Sequence, residues 1–141
     1  MGPQLLRGVG GNDTRHHAVR VRPEASVLEV LYTRVGDKPE RIMCAEVPLT
    51  DPGDWRSWAV RGEPAELLAP TEIFEGADVP VGPSERGQAA ERLRQLRDPF
   101  VFEESQGALA GVRRAWVFYS AAGESAICVA ELNWKAAVGG R

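Results

Sequence analysis

The chain has little of what marks a secreted, metal-binding or nucleic-acid-binding protein. Only two of its 141 residues are cysteines, Cys44 and Cys128, and neither lies in a CxxC pair or beside a histidine. We therefore expect two buried free thiols and no disulfide framework. The net charge is −3, and no broad basic stretch is present, so we expect no nucleic-acid partner.

Long apolar runs are also missing. No segment approaches the roughly 20 apolar residues of a membrane span, and no apolar core follows a basic start at the N-terminus. We expect no membrane partner, and the lack of a signal peptide and of a disulfide framework favours a cytoplasmic location. The apolar residues form short runs rich in β-branched and aromatic side chains, a composition that is typical of strands.

The sequence contains one pattern twice. In each unit an opening arginine precedes an apolar run that ends in tyrosine and a hydroxyl residue. A glycine–acid turn and a third apolar run follow. The first unit has RHHAV at 15–19, VLYT at 30–33, GD at 36–37 and IMCAEV at 42–47; the second has RDPFV at 97–101, VFYS at 117–120, GE at 123–124 and ICVAEL at 127–132. A long period of this kind predicts stacked supersecondary units.

The repeat divides the chain into five parts. We predict a disordered lead at 1–14, one β unit at 15–69, a long connection at 70–96, a second β unit at 97–134 and a tail at 135–141. Three or four short strands are expected in each unit. Within the connection, Gln88–Leu96 has helical spacing with Ser84 as its cap, and alternation into Arg97 leaves a strand as the alternative.

The second unit resembles a known architecture. The stretches RDPFVFEE at 97–104 and WVFYSAAGESAI at 116–127 resemble blades of five-bladed β-propeller glycosidases, above all the glycoside hydrolase family 43-like group, with families 32 and 68 sharing the architecture. The likeness covers about residues 15–132. It implies an all-β fold of two four-stranded antiparallel blades. Because propellers have about four to eight blades, two blades are a partial five-bladed propeller, and we expect its C-terminal part.

The resemblance also implies where ligands bind. Inner blade ends face a central funnel, which makes Asp98 the candidate catalytic carboxylate, with Arg97 beside it. The alternative is that Asp98 caps the strand turn and pairs with Arg97. His16 occupies the place of Asp98 in the first unit, as a metal ligand, as a hydrogen-bond donor to a sugar or as a structural histidine.

Three further residues are candidates for substrate binding. Glu75 and Asp78 are loop carboxylates near Gly76, with an exposed polar loop as the alternative. Arg34 is the third, and a local ion pair with Asp37 is expected across the turn. No cofactor is expected. The His16–His17 pair alone does not predict a metal site, because adjacent residues of a strand point to opposite faces, and no metal is expected.

The leading functional hypothesis is a carbohydrate-binding or carbohydrate-processing, glycosidase-like propeller that lacks part of the catalytic set by itself. The alternative is a noncatalytic module that pairs with another chain. The expected partners are therefore a carbohydrate, a second copy or missing N-terminal blades.

Overall fold

The computed structural model describes residues 5–6, 13–51, 53–104 and 114–132, which form an all-β structure of two antiparallel sheets. Sheet A has four strands in chain order: β1 (Thr14–Arg22), β2 (Val27–Arg34), β3 (Ile42–Pro48) and β4 (Ala65–Leu68). Sheet B has three: β5 (Arg97–Glu104), β6 (Arg114–Ala121) and β7 (Ala126–Glu131). Three single-turn 3-10 helices lie at Pro23–Ala25, Trp55–Ser57 and Ile73–Glu75. No helix in these ranges is long and apolar enough to span a membrane.

The strands lie where the apolar runs predict them. Runs of β-branched and aromatic residues form β2, β3 and β6, and Pro48 ends β3, where its missing N–H removes little pairing. The first unit has the four expected strands. The second has three among the described residues, so a fourth is not found there. The tail predicted at 135–141 and most of the lead predicted at 1–14 lie outside the described residues.

The two units share one strand register, which confirms the repeat. Arg15 pairs with Thr33, and Arg97 pairs with Ser120. Each opening strand then has a β-bulge, with one residue more than its partner strand. On β1 the next pair after Arg15–Thr33 is Ala18–Leu31, so three steps along β1 match two along β2. Sheet B has the same bulge. The units are therefore structurally equivalent at their opening strands.

The core lies between the two sheets. One face of sheet A, with Leu31, Ile42 and Cys44, packs against the inner face of sheet B, with Val117 and Tyr119. The opening strands β1 and β5 lie side by side at this junction. At its other end an ion pair joins the sheets, with Arg20 Nε 2.5 Å from Glu103 Oε1. The opposite face of sheet A carries a smaller cluster of Tyr32, Met43 and Ala45, against which Leu6 and Val60 pack.

The helix predicted at Gln88–Leu96 is wrong, and so is the strand alternative. This segment is irregular, because two of its backbone N–H groups donate to distant parts of the chain and its one internal backbone bond, from Gln95 N to Leu93 O, is not a helical one. Leu93 N donates to Ala122 O, and Leu96 N donates to Glu40 O. Ser84 caps no helix. It joins the connection to the β2–β3 turn, since its hydroxyl donates to Arg34 O and accepts from Gly36 N, both at 3.0 Å.

Candidate functional site

A buried carboxylate joins the two opening strands. Glu40, in the β2–β3 turn, is fully buried and lies between two arginines. Arg15 donates from Nε to Oε1 at 2.9 Å and from Nη2 to Oε2 at 2.6 Å. Arg97 donates from Nε to Oε2 at 3.1 Å. The opening residues of both repeats are thus held by one anion, and the two-point contact with Arg15 also sets its orientation.

Arg97 is almost fully buried and also donates to the connection and to the second unit. Its Nη1 donates to Glu124 Oε1 at 2.8 Å and to Gly87 O at 3.1 Å, and its Nη2 donates to Gln95 Oε1 at 2.7 Å. Buried charges persist when they are paired and hydrogen-bonded in this way. The arginine expected to bind substrate therefore holds the site together.

His16 and Asp98 face each other above this cluster. His16 Nε2 lies 3.3 Å from Asp98 Oδ1, and His16 Nδ1 lies 3.0 Å from Thr33 Oγ1. The imidazole is half-buried and the Asp98 side chain is about half exposed, so solvent reaches the pair. The structure thus brings together Asp98, His16 and Arg97, three of the residues that the sequence singled out.

The backbone directs both side chains to this point. His16 has φ 54° and Asp98 has φ 49°, and each occupies the same position of the shared bulge. Left-handed backbone is uncommon for residues other than glycine and costs roughly 1–3 kcal/mol. Bulges redirect side chains, and strained residues of this kind cluster at functional sites. The matched strain marks this pair as the candidate site.

The surroundings favour a neutral imidazole. Burial lowers the pKa of His16 below its usual 6.5, and the positive charges of Arg15 and Arg97 act in the same direction. The carboxylates of Asp98 and Glu40 oppose that shift without overcoming it. At neutral pH the ring therefore has one nitrogen with a free lone pair.

Two of the predicted binding residues, Arg34 and Asp78, lie away from the His16–Asp98 pair. Arg34 Nε donates to Asp37 Oδ2 at 3.1 Å, which confirms the expected ion pair across the turn. Asp78 is exposed and pairs with Arg92 at 2.7 Å. No hydrogen bond or ion pair in the described ranges joins them to Asp98, and their binding roles stay predictions.

Glu75 has a structural role that the sequence reading did not include. It is buried, and its Oε2 accepts from Thr71 N at 2.8 Å and Glu72 N at 3.0 Å. Its Oε1 accepts from the Tyr119 hydroxyl at 2.7 Å. Both carboxylate oxygens are thus used to hold the connection against sheet B, and a ligand role for Glu75 stays a prediction.

The sequence reading missed Glu40 as the centre of the cluster. The length of the turn is the one feature of the sequence that points to it. Ten residues separate Tyr32 from its partner Met43, whereas eight separate Tyr119 from its partner Cys128. The two additional residues in the first turn make room for Glu40. Nothing in the local sequence indicates that two arginines 82 positions apart would share it.

An open pocket of about 380 Å³ with a mixed polar and apolar lining lies beside Arg97. It lies within the connection, is lined by residues such as Arg86, Glu91 and Arg94, and includes neither His16 nor Asp98. Its volume is in the range of small-ligand pockets. Three or more metal-ligating side chains do not come together anywhere in the part of the chain that the structure describes.

Both cysteines are free thiols, as predicted, but only Cys44 is buried, because Cys128 is partly exposed. Cys44 is buried in the core, and desolvation raises its pKa to about 12. Its register partner is Leu31, whereas Cys128 pairs with Tyr119, so the two lie one position apart in the repeat. Among the described residues, neither thiol forms a hydrogen bond with His16 or Asp98.

Comparison with known proteins finds a similarity to a viral protein. Over 128 residues, 91% of this chain, the sequence is 39% identical to the uncharacterized protein R118 of Acanthamoeba polyphaga mimivirus. The chain spans about one third (33%) of the length of that relative. No family model matches the chain. No solved structure matches it significantly.

Proposed function

We propose that this chain is part of a glycosidase-like β-propeller that binds carbohydrate through the His16–Asp98 pair. The observation that carries the proposal is the identical bulge in β1 and β5, which directs both side chains to one solvent-accessible point. Adjacent inner strands of a propeller bring their opening residues to a central axis in this manner. The family resemblance of residues 97–104 and 116–127 supports the same architecture.

The chemistry of the pair suits a polyol. The Asp98 carboxylate accepts no hydrogen bond from any residue that the structure describes, and its ion-pair partner there is the His16 ring. A carboxylate and a neutral imidazole nitrogen are both acceptors. Sugar hydroxyls are donors. Two hydroxyls, or a single hydroxyl shared between the carboxylate and the imidazole nitrogen, can supply the hydrogen bonds that these two acceptors lack.

Hydrolysis by this chain alone is not part of the proposal. Glycoside hydrolysis needs two carboxyl groups on either side of the scissile bond. Glu40 is buried between two arginines, and Glu124 is bound to Arg97. Asp98 is therefore the one carboxylate of this cluster that pairs with no arginine among the described residues, and we propose that the second catalytic carboxylate comes from another part of a propeller.

Nuclear magnetic resonance titration tests the proposal. The ¹⁵N-labelled chain is titrated with arabinose, xylose, glucose and mannose while the amide shifts of β1 and β5 are followed. We expect saturable changes at His16 and Asp98 that Asp98→Asn abolishes. Asp54→Asn is the matched control, because Asp54 is exposed and its side chain caps no helix. Unchanged binding in Asp98→Asn, or changes confined to the pocket beside Arg97, would refute this site.

The second candidate function is a noncatalytic module that pairs with a second copy of the chain. The outer face of sheet B favours it. Cross-strand pairing places large apolar side chains together on this face: Phe100, Phe102, Trp116, Phe118, Ile127 and Val129. Five of these six are exposed, and Trp116 is partly buried. A contiguous apolar surface of this kind is typical of an interaction site.

The repeat shows how unusual this exposure is. Leu31, Ile42 and Cys44 of sheet A are 0%, 0% and 9% exposed, because sheet B covers them. The register-equivalent residues of sheet B are Phe118, Ile127 and Val129, which are 38%, 81% and 52% exposed. The charged residues on this face lie at one end of it: Glu131 opposite Trp116, and the Glu104–Arg114 pair beside them.

Sedimentation velocity distinguishes this alternative. A dimer that Phe118→Lys dissociates and Val21→Lys preserves would support pairing through sheet B, because Val21 is exposed on sheet A. A cooperatively folded wild-type chain that stays monomeric at high concentration would contradict it.

A further inference from the structure

The protons around His16 can be assigned by counting donors. Glu40 carries two arginines and, as a carboxylate, offers acceptors alone. The Thr33 hydroxyl lies 2.7 Å from Glu40 Oε1, so its single proton is donated there. Thr33 Oγ1 then has only lone pairs left for His16 Nδ1 at 3.0 Å. The Nδ1 atom must therefore carry a proton and donate it to Thr33.

This assignment fixes the state of the other ring nitrogen. In a neutral imidazole with a proton on Nδ1, Nε2 has a bare lone pair. That lone pair lies 3.3 Å from Asp98 Oδ1, which is also an acceptor. Two acceptors face each other without a proton between them, and both are reached by solvent.

We propose that His16 and Asp98 form a paired acceptor site that is open to hydroxyl donors while the imidazole is neutral and closes to an imidazolium–carboxylate pair when Nε2 takes one proton. The proton-controlled closure belongs to the chain itself, and the role of the open state in carbohydrate binding rests on the proposed function. Acid is then a competitor of the ligand, because proton and hydroxyl donor use the same two atoms.

Every charged group that acts on the ring enters this balance. On β1 Arg15 opposes protonation, and on β5 Arg97 opposes it while Asp98 favours it. From the β2–β3 turn Glu40 favours it, with its Oε1 3.9 Å from Nδ1. Burial is the largest influence and keeps the ring neutral. The pair is therefore open at neutral pH and closes in acid.

Long-range ¹H–¹⁵N spectra of the histidine ring test the assignment without any sugar. His17→Ala leaves His16 as the single histidine. We expect the Nδ1–H tautomer above the titration midpoint and the doubly protonated ring below it. In Asp98→Asn the midpoint should fall, because the carboxylate that favours the proton is gone. An Nε2–H tautomer in the wild type, or a midpoint that Asp98→Asn leaves in place, would overturn the proposal.

Thr33→Val provides a second, independent check. It removes the acceptor of the Nδ1 proton while keeping a β-branched strand residue, so the Nε2–H tautomer should become populated. A spectrum that still shows Nδ1–H alone would overturn the assignment to Thr33. The sugar titration separates the two proposals: the tautomer with no sugar binding refutes the proposed function alone. If sugar does bind, affinity should fall below the His16 midpoint, and affinity that is independent of pH would overturn the competition.

Discussion

Replacing Glu40 with glutamine should destabilise the fold more than any exposed carboxylate replacement. Glutamine keeps the shape of glutamate but removes the charge, and its amide nitrogen is a donor that faces arginine donors. Breaking a buried ion pair by removing one partner costs about 3–5 kcal/mol. Arg97 retains Glu124 at 2.8 Å, which compensates part of the loss. We therefore expect the free energy of unfolding to fall by about 3 kcal/mol, a large part of the about 5–15 kcal/mol typical of a domain.

Urea unfolding followed by tryptophan fluorescence measures this loss. Glu66→Gln is the matched control, because Glu66 pairs with Arg41 at 2.6 Å on the surface. An exposed pair contributes about 0–1 kcal/mol, so the control should unfold close to the wild type. Coupling to Arg97 is tested by a cycle of Glu40→Gln and Arg97→Gln, where contacting residues typically couple by about 0.5–3 kcal/mol. Equal, small losses in Glu40→Gln and Glu66→Gln would refute Glu40 as the link between the repeats.

Three further outcomes follow from single features. Gly76→Ala should lower the free energy of unfolding by more than about 2 kcal/mol, because left-handed backbone costs roughly 1–2 kcal/mol and the new Cβ would lie 2.5 Å from Leu93 O. Gly62→Ala has open space around its Cβ, so in the same urea assay its free energy of unfolding should fall only by the cost of the left-handed backbone. Stability should fall as pH drops below 6.5, because the unfolded histidine binds a proton there that folded His16 resists, and His16→Gln should flatten this slope in unfolding curves; an unchanged slope contradicts the shift. Thiol labelling with a disulfide reagent should modify Cys128 well before Cys44, which is buried and whose pKa is raised to about 12, and equal native rates would contradict this burial.

Local patterns in the sequence were enough to predict most of the strands and the repeat. The matching of Arg15 with Arg97, and of Thr33 with Ser120, follows from apolar runs with the same order and the same turn residues. Such features act over a few residues, so strand positions and equivalent sites can be read from them. The shared bulge places His16 and Asp98 in equivalent positions for the same reason.

The remaining features depend on partners far apart in the chain. The segment Gln88–Leu96 has helical spacing, yet two of its N–H groups donate to Ala122 O and Glu40 O, which no local pattern specifies. From the sequence Glu75 is a loop carboxylate, and its hydrogen bond from Tyr119, 44 positions away, is seen only in the structure. The role of Glu40 depends on the arginines of both β1 and β5, so it becomes visible only in the folded structure. Tertiary hydrogen bonds overrode propensity at each of these points.

The contact between His16 and Asp98 is the central claim, and a nuclear Overhauser spectrum tests it most directly. With His17→Ala in the background, the remaining imidazole ring protons should show a cross-peak to the Asp98 Hβ protons, together with cross-peaks between Leu31 and Val117 from the shared core. A folded protein that shows the core cross-peaks but none between His16 and Asp98 would contradict the pairing of the two repeats at a common site.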